Sequence, residues 1–164
     1  MTIQTASFRR KSVLYVEDHP VNGLLMSALF EFRPELELVV ATDGQQAMRI
    51  AANLQPALML LDLRLPDCQG NELLPLLRQL QGCASAPAVA VTAEDCFQIE
   101  GSGFVELWAK PLNLAWVLQR LEVLTADAHR APAMPPPQVL APALALYPSA
   151  SKAGARSARH AAAW

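Results

Sequence analysis

The chain has 164 residues, 52% of them hydrophobic, and a formal net charge of −2; that supports one packed domain, or one domain with a tail, and gives no general attraction to nucleic acid. Three cysteines (Cys68, Cys83 and Cys96) are odd in number and lack metal-ligand spacing, so they read as reduced thiols rather than a disulfide framework. No apolar run approaches the ~18 residues of a membrane span, and Arg9-Arg10-Lys11 without an apolar run before it is not a secretory signal, so a cytoplasmic protein without a membrane partner is expected.

Residues 1–10 read as a flexible N-terminus. Val13-Leu14-Tyr15-Val16 is a short β-branched and aromatic run, which predicts a buried first strand ending in Glu17-Asp18. His19-Pro20 breaks it, and Val21, Leu24, Leu25, Ala28, Leu29 and Phe32 recur at helical spacing until Arg33-Pro34. Leu36 to Ala41 predicts a second strand, and Ala47, Ile50, Ala51 and Leu54 a second amphipathic helix ending before Pro56. Ala57 to Asp62 is a nearly unbroken apolar run that closes on a carboxylate, the pattern of a strand covered on both faces of a parallel sheet. Leu63 to Asp67 follow as a loop, with Gly70 as a flexible turn.

Leu73, Leu74, Leu76, Leu77 and Leu80 predict a third helix, in which Pro75 removes a backbone donor and should introduce a kink. Ala88 to Val91 predicts a fourth strand ending at Thr92; Glu94 to Glu100 has room for only a turn or two of helix. Gly103 to Trp108 predicts a fifth strand leading into Lys110-Pro111, and Leu112 to Leu124 a last helix. From residue 125 on, Ala and Pro dominate, with six of the chain's 13 prolines. That composition suits a disordered tail. Residues 1–124 carry a net −5 and residues 125–164 a net +3, but the four tail cations are dispersed and lack the aromatics of a nucleic-acid site.

Five alternations of strand and helix argue an α/β domain built on a parallel sheet. Among doubly wound folds, five strands favour the flavodoxin-like order 2-1-3-4-5, with its switch point between strands 1 and 3. Glu17, Asp18 and Asp62 then face one crevice. Carboxylates that converge repel one another, and a raised pKa or a bound cation relieves them. An all-oxygen site suits Mg2+. Thr92 and Lys110, from the ends of strands 4 and 5, add a hydroxyl donor and a cation. The set meets the needs of phosphoryl transfer onto a carboxylate, with Asp62 as nucleophile, charge neutralised by Mg2+ and Lys110, and Thr92 bonded to a phosphoryl oxygen.

Over roughly residues 11–124 the sequence resembles the receiver domain of two-component response regulators. The matching residues are Glu17-Asp18, Asp62, Pro66 and Gly70, Thr92-Ala93 and Lys110-Pro111, in order and each at or just after a strand end. Val16 to Asn22 looks most like receivers of hybrid sensor kinases. The resemblance implies phosphoryl transfer to Asp62 from the phosphohistidine of a histidine kinase or phosphotransfer protein, and a downstream protein as recipient of the signal. It also implies Mg2+ held by Asp18, Asp62 and the backbone carbonyl of Arg64, with Glu17 acting through water. Reorientation of Thr92 would carry the signal, and Ala93 would leave the phosphoryl group accessible. Such a protein catalyses only its own phosphorylation and dephosphorylation, and is not otherwise an enzyme.

Two departures stand out. Leu107 occupies the position, three before the lysine, where the family commonly has an aromatic residue that moves inward on activation. Trp108 is adjacent, but a shift of one residue along a strand turns the side chain to the other face, so it reads as a partly buried packing residue. Only 18 positions separate Thr92 from Lys110, which predicts a fourth helix that is truncated or absent. These departures leave room for an alternative, a constitutive interaction module without phosphorylation-driven switching. A third reading, a Mg2+-dependent phosphatase, lacks the second aspartate such enzymes need where Arg64 stands. Arg64 and Glu94 flank the site and either pair across its mouth, obstructing attacking water, or stand as two solvated side chains. Cys68 reads as an ordinary thiol and His19 as the residue that starts a helix.

Overall fold

The computed structural model describes residues 10–94 and 97–126. Its order is β1 (Lys11–Val16), α1 (Pro20–Phe30), β2 (Leu36–Ala41), α2 (Gly44–Ala51), β3 (Leu58–Asp62), α3 (Gly70–Arg78), β4 (Ala88–Thr92), β5 (Glu106–Ala109) and α4 (Leu114–Thr125). The five strands form one sheet in the order β2-β1-β3-β4-β5, every pair parallel. This is the flavodoxin-like doubly wound fold. The expected flexible segment before Arg10, the Ala/Pro-rich tail from 127 on, and Cys96 lie outside the described residues. No helix among the described residues is long and apolar enough to cross a membrane.

Strand residues alternate between two buried faces, which is why the strands read as continuous apolar runs. Leu14, Val16, Met59, Leu61, Ala88 and Ala90 pack beneath α2 and α3, against Ala47, Ala51, Leu73, Leu74 and Leu77. Val13, Tyr15, Leu58, Leu60, Val89 and Val91 pack beneath α1 and α4, against Met26, Leu29, Phe30, Val117 and Leu121. Asp43 caps α2 by accepting from the Gln46 N–H at 2.6 Å, and Asn113 caps α4 by accepting from the Trp116 N–H at 3.1 Å. Pro75 lies inside α3, on its exposed side, and the helix runs on to Arg78 despite the donor it lacks.

The crossover from β4 to β5 carries less than the turn or two of helix it has room for. Among its described residues, 93–94 and 97–105, there is none; Gly101 and Gly103 have φ of 73° and 85°, where a side chain would be strained. The chain turns there, and β5 begins at Glu106 instead of Gly103. Phe97, Ile99 and Phe104 cover the sheet where a helix would have lain, with the two phenyl rings edge to face at 5.9 Å. Gly70 is also more constrained than a flexible turn. It is the first residue of α3, and a Cβ there would collide with the Asp62 carbonyl oxygen.

Leu107 packs on the α2/α3 side of the sheet and Trp108 on the α1/α4 side, as the two-residue period requires. Trp108 is fully rather than partly buried. It stacks edge to face on Trp116 at 5.4 Å and donates from Nε1 to Glu106 at 2.9 Å. Replacing Trp108 with Ala removes the largest buried side chain and should cost about 3–5 kcal/mol of unfolding free energy in a urea titration; a loss below about 1 kcal/mol would contradict this packing.

Candidate functional site

The parallel register brings the carboxyl ends of four strands to one edge. Val16 pairs with Leu61, Asp62 with Val91, and Thr92 with Ala109. The residues at or just beyond those ends are Glu17, Asp18, Asp62, Thr92 and Lys110. Asp62, Thr92, Lys110, Arg64, Ala93 and Glu94 line an open cleft of about 300 Å3. Glu17 and Asp18 do not line this cleft, but each places a carboxylate oxygen close to Asp62.

Glu17 is buried and held from four directions. Its Oε1 accepts from the His19 N–H (3.2 Å) and Asn22 Nδ2 (3.0 Å), and its Oε2 from the Tyr15 hydroxyl (2.8 Å) and Lys110 Nζ (2.6 Å). Burial pushes the Glu17 carboxyl upward, but the bonds from Lys110, Asn22 and Tyr15 outweigh it and hold the group below its ordinary value. Asp62, also buried, accepts from the Arg64 N–H at Oδ1 (2.9 Å) and from Lys110 Nζ at Oδ2 (2.5 Å). Burial lowers the Lys110 pKa, and the carboxylates of Asp62 and Glu17 more than reverse that, so the ammonium is stabilised. Thr92 is buried at the cleft; its Oγ1 accepts from the Glu94 N–H at 3.0 Å, and its hydroxyl donates to no acceptor among the described residues.

Glu17, Asp18 and Asp62 each place a carboxylate oxygen within 4.8 Å of the other two. The donor set is all oxygen and Asp18 is exposed to water, which fits a small hard cation that keeps part of its hydration shell. With four donors on its two oxygens, Glu17 has the least left to offer a cation directly, in line with action through water. Asp18 and Asp62 carry the freer oxygens.

At the mouth, Arg64 Nε donates to Glu94 Oε1 at 2.5 Å, so the pair forms. His19 precedes the first turn of α1 without a side-chain cap and meets the site only through its backbone N–H, as a residue that starts a helix. Burial and the Asp67 charge push the Cys68 thiol up to about 11, which keeps it protonated and unreactive at neutral pH. Three supporting residues were not foreseen. Tyr15 could have been, because two residues before Glu17 on a strand it shares that side chain's face. Asn22 reaches Glu17 from the first turn of α1 and Asp67 acts from the loop after β3, contacts that neither residue's local pattern announces.

The response regulator receiver domain family matches residues 13–122. The chain is 29% identical over 122 residues to the polar-differentiation response regulator DivK of Brucella ovis, covering 72% of this chain and 98% of that one. It is 30% identical over 124 residues to the DNA-binding dual master transcriptional regulator RpaA of Synechocystis, covering 73% of this chain but only about half (51%) of RpaA. Among solved structures, it is similar to the receiver domain of a sensor histidine kinase from Pseudomonas aeruginosa, with magnesium coordinated in its active-site cleft. That match has 26% identity and a TM-score of 0.63, and covers 72% of this chain and 99% of the other. The chain belongs to the response regulator receiver family, the signalling modules of two-component systems.

The electrostatics predict a plateau of stability with two edges in Mg2+-free buffer. Glu17, with its folded pKa depressed, contributes stability that is complete above its ordinary value of 4.5 and is lost as pH falls through the lower folded value. Lys110, with its folded pKa raised, contributes stability that is complete below 10.5 and is lost as pH rises through the higher folded value. Urea titrations across pH should show a smaller acid-side loss in Glu17→Gln than in wild type; equal losses would assign that edge to other carboxylates.

Proposed function

We propose that the protein is a phosphoacceptor switch that takes a phosphoryl group on Asp62 from the phosphohistidine of a histidine kinase or phosphotransfer protein and relays the change to a protein partner. The observation that carries this reading is the placement of Lys110 Nζ at 2.5 Å from Asp62 Oδ2, with Thr92 lining the same cleft. An Asp62 oxygen attacks phosphorus in line, the bond from phosphorus to the donor's imidazole nitrogen breaks, and the imidazole departs with the electron pair. Bound by Asp18, Asp62 and the Arg64 carbonyl, Mg2+ would neutralise charge on the phosphoryl oxygens and the attacking carboxylate. Glu17 would act on it through water. Lys110 leaves its ion pair with the free carboxylate to neutralise the phosphoryl oxygens, and Thr92 donates its free hydroxyl proton to one of them.

This chemistry makes the chain a catalyst only of its own phosphorylation and dephosphorylation. The work belongs in the cytoplasm, where kinase domains and their phosphohistidines are found. Trp108 is packed on the far side of the sheet from Leu107, so it does not stand in for an aromatic residue at that position. The change would leave instead through Thr92 and the segment that Glu94 begins, whose N–H the Thr92 hydroxyl now accepts. A partner protein reads that edge of the domain.

Incubation with acetyl phosphate and Mg2+, followed by intact-mass analysis, should give a single phosphoryl adduct in wild type and none in Asp62→Asn or without Mg2+. An adduct that persists in Asp62→Asn would place the acceptor elsewhere, and no adduct from either acetyl phosphate or a kinase donor would favour the constitutive module. Arg64 and Glu94 line the same cleft as Asp62, and their pair would obstruct water attacking the phosphoryl group. Arg64→Ala and Glu94→Ala should each speed loss of the phosphoryl group about two- to fivefold, the small effect expected of an exposed ion pair. Unchanged hydrolysis in both would remove the pair from the mechanism.

A further inference from the structure

The loop after β3, Leu63 to Gln69, carries Arg64 and is folded back on itself. The Leu65 N–H donates to the Cys68 carbonyl (3.2 Å), the Gly70 N–H to the Leu63 carbonyl (3.0 Å), and Arg64 and Gln69 form an isolated antiparallel bridge. At its tip, Asp67 reaches across to another element. Its Oδ1 accepts from the Gly44 N–H and its Oδ2 from the Gln45 N–H, both at 2.9 Å. These are the first two N–H groups of α2, donors that no helical carbonyl can satisfy. Asp43 already caps the same helix through the Gln46 N–H, so Asp67 is a second anchor, arriving from 23 residues away.

The approach is close enough to require a bare Cα on the helix. A Cβ at Gly44 would run into Cys68 Sγ and press to 3.2 and 3.3 Å of the Asp67 carboxylate oxygens. The two backbone N–H groups also hold the Asp67 carboxyl below the usual carboxylate range, chiefly through Gly44, so the anchor stays charged at neutral pH. The loop is thus tied at one end to Asp62, whose Oδ1 receives the Arg64 N–H, and at its tip to the start of α2.

We infer that Asp67 is a positioning residue for the metal site, acting through the loop to fix the Arg64 backbone carbonyl where a divalent cation can use it. This rests on the Mg2+ reading of the site given above. A carbonyl is a weak ligand on its own, and Mg2+ tolerates little departure from octahedral geometry, so its contribution depends on how firmly its loop is held. Asp67 touches neither the metal position nor the phosphoryl group; its effect is on where Arg64 lies.

The test is calorimetric titration of the full chain with MgCl2 alone, in wild type, Asp67→Ala, Asp67→Asn and Asp43→Ala. Losing an outer partner of a metal ligand should raise the Mg2+ dissociation constant of Asp67→Ala about tenfold. Asp67→Asn, which keeps one acceptor oxygen, should fall between it and wild type. Asp43→Ala removes a cap from the same helix without touching the loop and should bind as wild type does. Acetyl phosphate labelling of Asp67→Ala should recover to the wild-type rate once Mg2+ is saturating, as a defect confined to metal affinity requires. Equal shifts in Asp43→Ala and Asp67→Ala would reduce Asp67 to a helix cap and overturn the assignment, as would an unchanged constant in Asp67→Ala. A wild-type chain that binds no Mg2+ would overturn the underlying metal reading, and this inference with it.

Discussion

Glu17 and Asp62 are both buried at the carboxyl edge of the sheet, and the ammonium of Lys110 lies 2.6 Å from one and 2.5 Å from the other. Two like charges within 4.8 Å repel by about 3.5 kcal/mol or more even at an effective dielectric of ~20, and Asp18 adds a third. Without the lysine, neither the repulsion between these carboxylates nor the cost of burying them would be offset. With it, both remain acceptors, and Glu17 collects further bonds from Tyr15, Asn22 and the His19 N–H. The ion pair therefore does more than join β5 to β1 and β3. It keeps the crevice anionic, and an anionic crevice is what a divalent cation needs.

That arrangement requires a sheet whose strand ends stay in register, and both faces contribute. On one face α1 and α4 close over Tyr15 and Trp108; on the other, α2 and α3 cover the β1 and β3 side, but the β4–β5 side has no helix among the described residues. Phe97, Ile99 and Phe104 supply the apolar area there. An aromatic pair on a turning loop can bury enough surface to seal a sheet, but it lacks the ordered backbone of a helix. The chain has thus kept the elements that hold the carboxylates and lysine and shortened the element farthest from Glu17 and Asp18.

The fold and the site were legible in the sequence to different depths. Strand runs that end in Glu17-Asp18, Asp62, Thr92 and Lys110 announce themselves because burial on both faces forces unbroken apolar residues and the chemistry sits where those runs stop. The start of β5 was misjudged because Gly103-Phe104-Val105 has strand-like apolar content, while the positive φ of Gly101 and Gly103 is a backbone property that composition only hints at. The orientation of Trp108 followed from the two-residue period alone. What could not be read was the contact of Asp67 with Gly44 and Gln45, since it depends on how a loop lands on a helix 23 residues earlier in the chain. Local patterns specify which face a residue occupies, not which distant backbone groups it meets.

A charge count across the site connects the resting arrangement with the proposed chemistry. Glu17, Asp18 and Asp62 carry three negative charges and Lys110 one positive, so the cluster is left at −2, the charge that one divalent cation cancels. Conversion of Asp62 to its acyl phosphate would replace one negative charge with about two, and the excess would fall on oxygens farther out in the cleft. Lys110 then faces a choice between Glu17, buried and already accepting three other bonds, and the new phosphoryl oxygens. Because Glu17 keeps its partners from Tyr15, Asn22 and His19 when the lysine moves, the cost of releasing Lys110 is shared among bonds that remain in place. On this reading the dense bonding around Glu17 is what allows the lysine to follow the negative charge, and the switch depends on a carboxylate that never touches the phosphoryl group.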